Sequence, residues 1–173
     1  MCGRFARYSS VHRFGEQFDT PAGFELAASY NVAPSNAVLV ARNAAWGGRE
    51  LITLKWGLVP SWSKEPKTEF STINARAETV AEKPAFRSAF RYRRCLIAAD
   101  GFYEWARREG RKQPYYIRLA SESPFAFAGI WEHWEREGAS LDSCSILVTE
   151  ANDLLRPIHD HMPVILSPAD YDL

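Results

Sequence analysis

Six short apolar runs set what this chain can fold into: residues 37–42, 51–56, 95–99, 115–119, 125–131 and 145–149. Each has strand length and is bounded by turn-forming or charged residues. The stretch 43–48, with Gly47 and Gly48, reads as a hairpin loop between the first two runs. The charged turn 107–112 reads as a second, returning into the strand at 115–119. Strands this short are stable only when paired with one another, which points to a mainly antiparallel β core. Helices are few. Ser9 or Ser10 can cap one in which Val11, Phe14 and Phe18 share a face, with Pro21 and Gly23 ending it; His12 on that helix reads as a solvated surface residue. The spacing predicts further helical turns after residue 73, over 87–94 and over 152–156. Residues 30–34 read as a turn, and residues 158–166 as ending in a strand.

At 173 residues the simplest organisation is one domain of α+β class, large enough to bury its own core. Ser167-Pro168-Ala169-Asp170 is a helix start with Pro at the first helical position, and only three residues follow it. The expectation is that the natural chain continues past Leu173. Lys+Arg and Asp+Glu balance at 21 each, so any nucleic-acid binding must rest on a local basic patch. The most basic run is Arg87, Arg91, Arg93 and Arg94 with Phe86, Phe90 and Tyr92 interleaved; a solvated helix face is the more common explanation of such a run. The cysteines Cys2, Cys95 and Cys144 are odd in number and lack metal-ligand spacing. With no secretory signal and no apolar run of membrane length, they point to free thiols in a reducing cytoplasm. Cys95 and Cys144 lie in apolar strands and read as inert core thiols.

Chemistry concentrates at the amino terminus. Removal of Met1 would leave Cys2 with a primary amine and a thiol on adjacent carbons, a 1,2-aminothiol. Such a group attacks an aldehyde through the amine and closes on the imine through sulfur, giving a thiazolidine. Its two nucleophiles titrate near ~8 and ~8.5. Gly3 permits close backbone approach, and Arg4 sets a fixed positive charge beside the reacting end. The alternative is an incidental cysteine on a frayed end. Trp56 and Trp62 bracket a Gly/Pro-punctuated loop, as a base-stacking pair or as cover for the core edge. Asn74 offers an amide for a substrate oxygen and Arg76 a planar guanidinium for phosphate; a cap and a surface arginine are the plainer readings. Glu104, between Tyr103 and Trp105, is placed for partial burial and proton transfer. His159 and His161 alternate as metal-ligating pairs do, but no third ligand is evident, and a general acid/base role for His159 is more economical.

Six stretches together resemble the SRAP (SOS response-associated peptidase) family: MCGRF at 1–5, YNVAP at 30–34, WGLVPSW at 56–62, INARAET at 73–79, ADGFYEW at 99–105 and IHDHMPVIL at 158–166. They occur in the family's order and span nearly the whole chain. The resemblance implies a compact single domain with a barrel-like, mainly antiparallel β core flanked by short helices, and a positively charged groove. It implies covalent capture of abasic sites in single-stranded DNA, with weak lyase activity, by a cytoplasmic bacterial protein that meets the nucleoid through DNA. The family's catalytic residues fall on Cys2, Asn74, Glu104 and His159. Its DNA contacts fall on Arg4, Asn31, Pro34, Trp62, Arg76, Trp105, Thr149, Asp160 and His161. Arg4 and Arg76 are expected on phosphates, and Trp62 and Trp105 as stacking or wedge surfaces. No cofactor, metal or membrane partner is implied, and a monomer is expected. Two departures stand out. His161 replaces the arginine common in the family, and the family usually continues for several tens of residues. Two other functions stay open: a cysteine peptidase using Cys2 with His159 and Asn74, and a non-covalent single-strand binder.

Overall fold

A computed structural model describes residues 2–45, 47–108 and 110–172. Five strands close into a barrel: β3 (Ala37–Asn43), β4 (Arg49–Trp56), β6 (Arg94–Ala99), β9 (Phe125–Arg136) and β10 (Ala139–Glu150), hydrogen-bonded in the cyclic order β10-β4-β3-β6-β9-β10. Every seam is antiparallel except β4–β10, which is parallel and pairs Trp56 with Cys144. Alternation explains the filling. Val38, Val40, Leu54, Ile97, Phe127 and Ile146 project inward into one core, and Cys95 and Cys144 lie in it with them. Gly129 belongs to the same interior, where an added Cβ would lie 2.7 Å from Ile97 Cδ1 and 2.9 Å from Cys95 Sγ.

Outward-facing positions on the same strands are apolar too, so the barrel is wrapped. Leu39, Ala41, Leu96 and Ala98 are covered by Val11, Phe14 and Phe18 of helix α1 (Val11–Gln17), which starts at Ser10, its Oγ accepting from Arg13 N at 3.2 Å. Ala128, Ile130 and Leu147 are covered by Leu58, Ala75, Val80 and Ala89, the last on helix α2 (Arg87–Tyr92).

A second sheet lies across the barrel. Strands β1 (Arg4–Arg7), β2 (Ser29–Val32), β7 (Gly101–Arg108) and β8 (Arg111–Ile117) run in the order β2-β1-β7-β8. Its inner side chains Phe5 and Phe102 meet Phe127 edge-on, at 5.7 and 6.0 Å between ring centroids. The buried Asp100 carboxylate locks β1 in place, accepting from Tyr8 N at 2.6 Å, Ser9 N at 2.9 Å and Ser9 Oγ at 2.5 Å.

Three elements differ from the sequence expectation. Residues 29–32, overlapping the stretch 30–34 read as a turn, form β2, whose strand character comes from pairing with β1 rather than from apolar alternation. After Ile73 the chain makes β5 (Asn74–Arg76), parallel to β10, and turns follow instead of a helix. Residues 153–158 are successive turns, not a helix. Strands β9 and β10 extend well beyond the predicted 125–131 and 145–149. They are joined at Glu137 and Gly138, both with positive φ, as a tight hairpin requires. Ser167 and Pro168 open a 3-10 turn, Pro168–Asp170.

The buried thiols fix how stability depends on pH. Burial pushes all three upward; the Glu104 charge adds to it at Cys2 and Arg42 partly opposes it at Cys95. An unfolded chain releases these protons near the ordinary value of ~8.5, while the folded chain keeps them, so stability is whole below that pH and falls above it. Urea denaturation between pH 8 and 10 is expected to lose about 1.4 kcal/mol per pH unit for each thiol once past about pH 9. Cys144→Ala should lower stability overall but remove one thiol's share of that slope.

Candidate active site

The amino-terminal segment runs directly into β1, so the fold carries Cys2 to the edge of the barrel core. Cys2 is fully buried there as a member of the barrel core, and its carbonyl accepts from Asn74 Nδ2 at 2.8 Å. Asn74 reaches it because β5 lies against β10 in register Asn74↔Ile146, while the next residue, Ala75, packs outward. Asn74 Oδ1 is buried and makes no hydrogen bond. Glu104 is buried on β7, two residues beyond Phe102 and so on the same inner face. Desolvation pushes the Cys2 thiol up and the nearby Glu104 charge adds to it; a hydrogen bond from the Arg4 amide partly opposes both. Three residues far apart in sequence, Cys2, Asn74 and Glu104, therefore meet. Such a pocket favours the uncharged thiol. Removal of Met1 falls outside the described residues.

His159 is half-buried at the end of the 153–158 turns, whose Leu155 and Ile158 pack on the core that contains Cys2. Its Nδ1 accepts from His161 N at 3.0 Å. The His159 and His161 rings are 6.2 Å apart and tilted, and among the described residues no cluster of His, Cys, Asp or Glu suits a metal ion.

The remaining candidates fall into two groups. Trp62, 60 % exposed, Asn74 and Arg76 line one groove of about 660 Å3. Phe86, read above as part of the basic run, lines it as well, with Phe70 and Lys83, which the sequence reading missed. Trp56 is core, wholly buried with its indole N–H donating to Ile73 O at 2.8 Å, so the bracketing tryptophans have separate jobs. On the four-stranded sheet Arg4 donates to Asn31 Oδ1 at 3.1 Å, Pro34 follows β2, and Trp105 is 37 % exposed on β7. The Thr149 hydroxyl donates to Glu78 Oε1 at 2.9 Å. Glu78, also missed, lies near His161 and has its carboxyl held below the ordinary value, first by a backbone hydrogen bond and then by that of Thr149. Asp160 is exposed, and its carbonyl accepts from Ala151 N.

Comparison with known proteins gives consistent results. The sequence profile of a family described as SOS response associated peptidase (SRAP) matches residues 1–173. Abasic site processing protein YoaM of Bacillus subtilis is 47 % identical over 172 residues, covering 96 % of this chain and 75 % of that protein. Abasic site processing protein HMCES of Mus musculus is 37 % identical over 176 residues, covering 80 % and 50 %. Among solved structures, a Bacteroides thetaiotaomicron protein superposes with a TM-score of 0.90 at 28 % identity, covering 99 % of this chain and 79 % of that one. A phage-related Bordetella bronchiseptica protein gives 0.76 at 32 % identity, covering 97 % and 78 %.

Proposed function

The chain belongs to the SOS response associated peptidase family, and from that premise we propose that it processes abasic sites in single-stranded DNA by covalent capture on Cys2. Relatives across bacteria and vertebrates carry the name abasic site processing protein. The observation that carries the finer reading is the burial of Cys2 with its carbonyl on Asn74 and its thiol beside Glu104. A frayed, incidental terminus would have none of these contacts.

The chemistry requires loss of Met1, because in the 173-residue chain the Cys2 nitrogen is a peptide nitrogen. Once freed, the amine adds to the C1′ aldehyde of ring-opened deoxyribose and one water leaves, giving an imine. The thiol sulfur then bonds to the imine carbon, and its proton passes by way of Glu104 to the nitrogen. The product is a thiazolidine. His159 serves ring opening of the sugar or proton return during reversal, and Asn74 holds the terminus in line. An imine on this path also permits β-elimination, so weak lyase activity accompanies capture. Arg76 and Lys83 in the groove beside Asn74 supply sequence-independent phosphate contacts.

Intact mass tests the proposal. Purified protein lacking Met1, incubated with a single-stranded oligonucleotide bearing one abasic site, should gain the oligonucleotide mass less one water and keep it through denaturation. A mature terminus with no such adduct would remove the capture reading.

A further inference from the structure

The four-stranded sheet turns Phe5, Phe102 and Glu104 toward the barrel, and alternation sends their neighbours to the opposite face. That outer face is an aromatic layer. Arg4, Tyr103 and Tyr116 form one cross-strand row, with Trp105 two residues along β7. The Tyr103 and Tyr116 ring centroids are 5.0 Å apart. Tyr116 lies flat on the sheet because residue 101 is glycine, where a Cβ would come within 2.4 Å of the ring. Tyr8 and Tyr30 complete the layer as a near-parallel stack, 5.2 Å between centroids and 17° between planes.

Tyr30 owes its place to a β-bulge. Phe5 pairs with Val32 and Arg7 with Ser29, so Tyr30 and Asn31 stand together opposite the single residue Ala6. Asn31 then meets Arg4 and Tyr30 meets Tyr8, and the Tyr103 hydroxyl fixes the Tyr30 carbonyl at 2.9 Å. One face of the Tyr30 ring is taken by Tyr8, yet the residue is 65 % exposed, which leaves a stack open at its outer end. Tyr116, at 39 %, is open as well. Cationic side chains border the layer: Arg4 at one end and the exposed cross-strand pair Arg107 and Lys112 at the other.

We propose that this outer face is a stacking platform for unpaired bases of the DNA strand flanking the Cys2 site, with Tyr30 as its terminal ring. The proposal rests on the abasic-site reading for its choice of strand. Open aromatic faces accept any base, and the bordering cations match a phosphate backbone. Arg4, two residues from Cys2, makes the layer continuous with the reacting end.

Anisotropy with an unmodified oligothymidylate measures the platform without covalent capture. Tyr30→Ala should weaken binding on the order of 10-fold, the loss of one base–ring stack, while Tyr30→Phe binds as wild type. The salt dependence of Tyr30→Ala should match wild type, because no phosphate contact is removed. Wild-type affinity in Tyr30→Ala would overturn the proposal. As a second measurement that needs no variant to fold, a strand carrying 5-iodouracil, photolysed with wild-type protein, should attach to Tyr30, Tyr103 or Tyr116. Attachment confined to Trp62 or Phe86 would overturn it equally. A protein that binds the strand through Tyr30 but forms no abasic adduct would sink the capture reading and leave the platform standing. The converse result would separate them the other way.

Discussion

Cys2→Ala is expected to abolish stable attachment to abasic DNA, lowering the yield of denaturant-resistant adduct by at least about 100-fold, because it removes the atom that closes the ring. The variant should still fold. Cys2 is a small residue at the edge of the core, and losing one sulfur there costs about 1 kcal/mol. Its free amine remains, so borohydride should still trap an imine to the abasic strand, which separates loss of ring closure from loss of binding. Acetylation of the wild-type amine should fail in the opposite way, with thiol intact and no imine to trap. A Cys2→Ala protein that gives wild-type yield of stable adduct would refute the thiazolidine. Equal yields from acetylated and free protein would refute the role of the amine.

Gly129→Val should destabilise the barrel strongly. The added side chain would push into Ile97 and Cys95, inside a closed ring of strands that has no free edge along which to relax. Overpacking of this kind costs about 2–3 kcal/mol, and for a domain of this size that corresponds to a fall in Tm of roughly 5–10 °C. Ile97→Ala alone also destabilises, by opening a cavity. Combined, the two should partly cancel, since the shortened side chain makes room for the new one; a double-mutant cycle by urea denaturation measures that coupling. Strict additivity would show that Gly129 is not held by Ile97.

The barrel was largely legible in the sequence because its strands carry apolar residues on both faces, inward into the core and outward under α1 and α2. Runs such as 95–99 and 125–131 therefore stood out. The elements that escaped are those whose structure is conferred by neighbours. β5 is three residues long, too short for any period, and exists because β10 offers it an edge. β2 is polar and exposed apart from Val32. The arms of the β9–β10 hairpin beyond Trp131 lose the apolar pattern where they leave the barrel. For the site, Cys2 announced itself by its chemistry. Its meeting with Asn74 and Glu104 has no local signal, since those residues arrive on different sheets, and the family resemblance alone placed them. Glu78 and the tyrosine layer went unread because neither breaks any sequence rule.

The parallel seam between β4 and β10 has a consequence for the order in which the chain assembles. Trp56 cannot meet Cys144 until most of the polypeptide has been synthesised, and contacts this distant in sequence form late. Helix α1 and the β3–β4 hairpin need only local residues and can form on a nascent chain. The enclosure around Cys2 cannot, because it draws on β5, β7 and the closed barrel. Throughout translation the amino terminus therefore stays in solvent, within reach of enzymes that trim a leading methionine. Cys2 is shut away only when the last long strand docks.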